Sequence, residues 1–324
     1  MKRLDLARLP SEATRDAYGQ ELVAIGRADP RVVALDADLS GSTKSSVFAK
    51  ACPERFFNVG IAEQNLVGLA AGLAAAGKIP FASTFAIFIT GRAFEQVRQS
   101  VAYPNLPVKL VGSHAGVTVG PDGASHQAIE DLALMRAVPN MTVLAPADGV
   151  ATRALVRSAL DVPGPVYLRL GRSGVPSIYG PEGLDVTSFA AGGSQTILEG
   201  TDVTIIACGV MVAEAIAAAY LALDDGLSVG VLDCYSLKPL DGPTVLAAAR
   251  RSGAIVTAEE HSVIGGLGGA IAEFLAETNP VPVVRIGLRD TFGQSGGPAE
   301  LLEHYELRAK HIRAALDRAL ELKA

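Results

Sequence analysis

The chain has 324 residues, 49% apolar and 19% charged, enough to bury the cores of two domains and too apolar to remain disordered. A net charge of −6 argues against a nucleic-acid binder, which would carry a basic stripe. Cys52, Cys208 and Cys234, no two closer than 26 positions, exclude a CxxC metal or redox site and fit a reducing compartment.

The N-terminal run Met-Lys-Arg-Leu-Asp-Leu-Ala-Arg carries charges where a signal peptide needs apolar residues. The most apolar region, Asn65 to Gly91, is interrupted at Lys78 and Pro80 into pieces too short to cross a bilayer. A soluble, cytoplasmic protein without membrane contact is expected.

In chain order, Val32–Leu35 is a predicted strand, followed by helices over Ala62–Ala76 and Ala86–Ala102 and by strands at Val108–Val111 and Val166–Leu170. Strands apolar on both faces that alternate with helices imply parallel sheets covered by helices. The pattern lapses where Pro176, Pro181, Gly183, Gly192, Gly193 and Gly200 cluster, which predicts a linker at residues 186–200. That divides the chain into a first α/β domain, residues 1–185, and a smaller one, residues 201–324. The second opens with a strand at Val203–Cys208 and a helix through Ala222. Strands at Leu227–Asp233 and Ala254–Ala258 follow, then helices at Ala270–Glu277, Pro298–Leu302 and Arg308–Leu322.

Two glycine motifs are decoys. Gly72-Leu-Ala-Ala-Ala-Gly77-Lys78 begins like a phosphate-binding loop, but Ile79 has no hydroxyl for magnesium and the segment ends a helix, so Gly77 reads as a C-cap. Gly265-Gly-Leu-Gly-Gly269 misses the dinucleotide spacing because Ile271 stands where the last glycine belongs, and it reads as the entry to a helix.

Three segments carry chemistry. In Asn58-Val-Gly-Ile-Ala-Glu-Gln64 a strand ends, a glycine turns and a helix opens on Glu63; by itself such an acid complements the helix dipole. In Ser83-Thr-Phe-Ala-Ile-Phe88, Phe85 and Phe88 share one helical face, ordinarily a core pair. The glycine-rich loop from Gly112 to Gln127 holds His114, Asp122 and His126 after a strand, where α/β proteins place ligands; the plainer reading is a solvated loop.

Gly60-Ile-Ala-Glu-Gln64, Thr84-Phe-Ala-Ile-Phe88, Gly120-Pro-Asp-Gly-Ala-Ser-His-Gln127, Ser236-Leu-Lys-Pro-Leu-Asp241, Glu260-His-Ser-Val-Ile-Gly-Gly-Leu-Gly268 and Asp290-Thr-Phe-Gly-Gln-Ser-Gly296 occur in that order. Together they resemble the C-terminal half of transketolases, from about Ser11 to Ile312. The resemblance implies a parallel-sheet pyrimidine-binding domain followed by a smaller α/β transketolase C-terminal domain, with thiamine diphosphate as cofactor.

It gives Glu63 the role of hydrogen-bonding the far ring nitrogen of the aminopyrimidine, so that the cofactor's own imine takes the C2 proton. Phe85 and Phe88 would wall the pyrimidine. His126 and Asp122 would contact sugar hydroxyls, with His126 also a candidate for proton transfer. Arg15, Ser42, His114 and Arg172 match a site for a terminal phosphate, which guanidinium groups grip bidentately. The chain departs from the family at Gly91, often aromatic, and at Pro121, often acidic.

No Gly-Asp-Gly…Asn motif for magnesium and diphosphate is found in the sequence. The resemblance therefore implies a separate N-terminal subunit holding Mg2+ and the diphosphate, in an α2β2 heterotetramer acting on sugar phosphates. The competing readings are the β subunit of a 2-oxoacid dehydrogenase and a non-catalytic scaffold or regulatory subunit.

Overall fold

Runs apolar on both faces form strands buried on both faces: all five residues of Val32–Asp36 and all seven of Ile79–Phe85 are buried. The computed structural model describes residues 3–186 and 188–324. Met1 and Lys2 of the charged N-terminus, and Thr187 of the expected linker, lie outside the described residues.

The strands, in chain order, are β1 (Ser11–Ala13), β2 (Val32–Asp36), β3 (Phe56–Asn58), β4 (Ile79–Phe85), β5 (Lys109–Ser113), β6 (Thr142–Leu144) and β7 (Val166–Arg169). They continue with β8 (Gly174–Pro176), β9 (Gln195–Leu198), β10 (Val203–Ala207), β11 (Val229–Asp233), β12 (Ser236–Lys238), β13 (Ile255–Ser262) and β14 (Val283–Leu288).

The larger sheet has the order β12-β6-β7-β5-β4-β2-β3, with every pair parallel except β12–β6. The smaller sheet has the order β14-β13-β10-β11-β9 and is parallel except for β9. Helices cover both sheets, as parallel ladders require. One buried apolar cluster runs without a break from Tyr18 and Phe48 to Ile205, Leu301 and Leu316, so the two sheets share a core. Among the described residues no helix is long and apolar enough to cross a membrane.

Three features differ from the sequence expectation. Residues 186–200 hold β9, which pairs with β11 as an edge strand of the second sheet. β12 lies far beyond that stretch in sequence, yet it pairs antiparallel with β6 in the first sheet, with Ser236 opposite Leu144. The expected helix Ala86–Ala102 is not one α-helix: π-helical turns at Phe88–Arg92 and Val97–Ala102 flank the short α-turn Phe94–Gln96. A π-turn accommodates one extra residue per turn, which shifts every later side chain around the axis. Apolar periodicity does not resolve a one-residue change, and Gly91 within the first turn resists it least.

Candidate active site

β7, β5, β4 and β2 are neighbours in the first sheet, and their carboxyl ends open on one edge, where parallel sheets present ligands. Phe85 closes β4, His114 follows β5 and Arg172 follows β7. Arg15 arrives through a clip: β1 pairs antiparallel with β8, and Ala13 opposite Gly174 brings the helix Thr14–Ala28 against the residues after β7. The side chain of Asp36, at the end of β2, accepts from Leu39 N at 2.6 Å, Thr43 Oγ1 at 2.7 Å and Ser45 Oγ at 2.8 Å. These bonds fix the turn Ser40–Thr43 that carries Ser42.

At one pole of the site, Arg15 Nη1 donates to the Ser42 carbonyl at 3.1 Å and to His114 Nε2 at 3.0 Å. Ser42 therefore meets Arg15 through its main chain. His114 Nδ1 faces Ser113 Oγ at 2.9 Å. Burial, reinforced by Arg15 and Arg172, pushes His114 down to about 3, so its imidazole is neutral. Burial also lowers Arg15 below the ordinary guanidinium range, Asp16 opposes the shift and Arg172 adds to it. Arg15 Nε is buried with no partner among the described residues. Two guanidinium groups and a buried donor without a partner are chemically suited to an anion.

At the other pole stands Glu63, the first residue of the helix Glu63–Ala75, with its side chain 2% exposed. Arg92 Nη1 donates to Glu63 Oε1 at 2.8 Å, although half of the Arg92 side chain stays in solvent. The same guanidinium lies 4.6 Å over the Phe88 ring. The Phe85 and Phe88 rings are nearly parallel, 8° apart with centroids at 5.8 Å. Phe85 stacks on His114 at 3.9 Å, and the His126 ring stands edge-on to both phenylalanines, at 6.1 Å and 5.5 Å. A Cβ at Gly91 would meet nothing within 4 Å, so space is open where the family often carries an aromatic.

Between the poles runs the 3-10 segment Val117–Asp122, with Pro121 inside it. Arg172 Nη1 donates to the Val119 carbonyl at 2.5 Å and pairs with Asp122 at 3.3 Å. His126 Nδ1 lies 2.9 Å from Ser125 Oγ. Phe85 contacts both histidines, Arg15 joins Ser42 to His114, and Arg172 holds Asp122. The structure thus gathers Arg15, Ser42, Phe85, Phe88, His114, Asp122, His126 and Arg172 around one sheet edge, with Glu63 joined to Phe88 through Arg92.

Both glycine decoys have structural roles. Gly77 takes φ of 85° at the end of its helix and donates to Ala74 O. At the start of the helix Leu267–Thr278, the carboxylate of Glu259 accepts from Leu267 N at 2.6 Å and Gly268 N at 2.8 Å. An internal anion already occupies the helix terminus that a phosphate would need. Sequence reasoning missed Arg92, Asp36 and Ser113. Arg92 carried the one available signal, a cation four residues after Phe88.

The transketolase pyrimidine-binding-domain family matches residues 11–177, and the transketolase C-terminal-domain family matches residues 192–312. The chain belongs to the transketolase family, and that membership implies dependence on thiamine diphosphate. It is 44% identical over 316 residues to the 6-deoxy-6-sulfo-D-fructose transketolase subunit SqwH of Clostridium sp. (strain MSTE9), covering 98% of this chain and 97% of that one. It is 41% identical over 300 residues to an apulose-4-phosphate transketolase subunit of Phocaeicola vulgatus, covering 93% and 95%. A solved structure described as a split gene transketolase, inactive beta4 tetramer, superposes with a TM-score of 0.89 at 56% identity, covering 96% of this chain and 99% of that one.

Proposed function

We propose that this chain is the C-terminal subunit of a split transketolase that transfers a two-carbon ketol unit between phosphorylated sugars in the cytoplasm. A separate N-terminal subunit would supply Mg2+ and the diphosphate grip, in an α2β2 assembly. The observation that carries this reading is the buried Glu63, joined through Arg92 to the Phe88 ring that lies parallel to Phe85, on the same chain as the arginine pair Arg15 and Arg172. Relatives of nearly the same length are named as subunits or as a split-gene product, which supports division of the activity between two chains.

The residues fit an aminopyrimidine. Among the described residues Glu63 has one ionic partner, the half-exposed Arg92. Arg92 reaches the buried Glu63 from the solvent side, so its guanidinium can swing away when a ring nitrogen approaches. The buried Thr84 Oγ1 has no hydrogen-bond partner among the described residues. Ile61, two residues before Glu63, is 79% exposed, an apolar side chain suited to burial under a partner subunit.

Thiamine diphosphate, when bound, supplies the carbon nucleophile for ketol transfer. Glu63 holds a proton at the aminopyrimidine ring nitrogen. Phe85 and Phe88 orient the ring and exclude water. His126 moves a proton at a substrate oxygen and Asp122 orients the sugar. Arg15 and Arg172 grip the terminal phosphate while neutral His114 accepts from Arg15. The names of two relatives include a sulfo or a phosphate group, and a guanidinium pair suits either tetrahedral anion.

The decisive experiment is reconstitution. The chain alone, given thiamine diphosphate and Mg2+, is expected to show no ketol transfer, and activity is expected on adding the N-terminal subunit. Full transfer by the purified chain would overturn the split assignment.

A further inference from the structure

The segment Val117–Asp122, which carries Asp122, rests on the second domain. Glu260 of β13 is buried, and its Oε1 accepts from the Thr118 N–H at 2.5 Å across 142 positions of sequence. The approach is close enough to require glycine on the loop: Gly116 has φ of 79°, and a Cβ there would lie 2.2 Å from the Glu260 carboxyl carbon. At the other end, a Cβ on Gly123 would lie 2.6 Å from Ser295 Oγ. Gln127 Nε2 bridges the Val117 carbonyl at 3.1 Å and the Gln294 carbonyl at 2.9 Å.

Glu260 is not spent on a salt bridge. Arg169, which adjoins it, directs Nε and Nη2 to Asp131 at 2.8 and 3.2 Å and donates to the Glu260 main-chain carbonyl at 2.8 Å. The carboxyl is left to the Thr118 amide. On the far side of the loop, Arg172 holds Val119 O and Asp122.

We propose that Glu260 is a positioning residue of the second domain that sets, through the Thr118 N–H, where the loop holds Asp122 against Arg172. The proposal rests on the reading that Asp122 contacts the sugar; the tie to Thr118 does not.

Two conservative variants separate reach from charge. Glu260→Asp keeps the carboxyl but withdraws it by a methylene, whereas Glu260→Gln keeps the length and an acceptor oxygen. Hydrogen–deuterium exchange at the Thr118 amide is measured in the full chain, and steady-state kinetics in the complex with the N-terminal subunit. In Glu260→Asp, amide exchange is expected to rise about tenfold and KM for a ketose phosphate about tenfold, with kcat and thiamine diphosphate affinity little changed. Glu260→Gln is expected to match the parent in all four. The reverse pattern, Gln disruptive and Asp silent, would show that charge matters rather than reach and would overturn the proposal. So would a loosened amide with unchanged KM. A parent complex without ketol transfer would overturn the functional reading instead, while amide exchange still decides the Thr118 tie.

Discussion

Arg15 Nη1 donates to His114 Nε2 across 3.0 Å, which requires a lone pair on that nitrogen and leaves the imidazole proton on Nδ1, facing Ser113 Oγ. Burial penalises a doubly protonated ring, which would also set an N–H against a guanidinium N–H with Arg172 close by. These causes push His114 down to about 3. In the unfolded chain it titrates near 6.5. Between those values the unfolded state binds more protons, so His114 makes stability rise with pH, by at most ~1.4 kcal/mol per pH unit. His114→Gln is expected to flatten the stability profile between pH 4.5 and 6.5 in denaturant titrations. Parallel profiles for parent and variant would mean that the ring is not held neutral.

Glu63→Gln separates cofactor activation from helix capping. Among the described residues the buried Glu63 pairs with Arg92 alone, and Gln keeps its length and an acceptor oxygen, so the unfolding free energy is expected to fall by no more than about 3 kcal/mol. Turnover of the reconstituted enzyme is expected to fall at least ~100-fold, the scale of a lost proton-transfer function. Assembly with the partner, followed by sedimentation, is expected to persist. Near-parental turnover would return Glu63 to a purely structural role.

Arg172→Ala removes one cation of the anion pole and frees Asp122 and the Val119 carbonyl. KM for a phosphorylated acceptor is expected to rise by about 10- to 100-fold, the cost of one charge-assisted contact of about 1.5–3 kcal/mol. A neutral acceptor should suffer far less. Equal losses on both acceptors would remove Arg172 from phosphate binding.

Asp131→Ala tests the tie between the domains. The Arg169 side chain is 7% exposed and the Asp131 side chain fully buried, and their ion pair adjoins the Glu260 carbonyl. Removing the carboxylate strands a buried guanidinium, a loss of about 3–5 kcal/mol. Chemical unfolding should show that drop without any contact to substrate being touched. A change below about 1 kcal/mol would mean that solvent reaches Arg169 readily.

The long strands and helices were legible because their apolar periods are local. Val32–Asp36, Val203–Ala207 and Met211–Asp224 lie within a few residues of where pattern alone puts them. Glu63, Phe85 and Phe88 could be picked out as a set only through the family resemblance, because each residue by itself reads as a cap or as core. Arg92 escaped because its contact with Glu63 spans 29 positions and depends on how a π-helical turn after β4 rotates the chain. The three-residue strands β1, β8 and β12 escaped for a different reason. They have no period of their own and exist because a longer partner or a facing clip offers them hydrogen bonds.

β12 follows β11 after only Cys234 and Tyr235, yet one strand belongs to the second sheet and the other to the first. Cutting the gene within residues 186–200 would therefore not yield two self-sufficient folds. The upstream fragment would lose the ribbon that seals Thr142–Leu144 and would present a bare ladder to its neighbours, a template for self-association. The downstream fragment would carry an orphaned ribbon with nothing to pair against. The same stitch opposes any swing of one lobe away from the other.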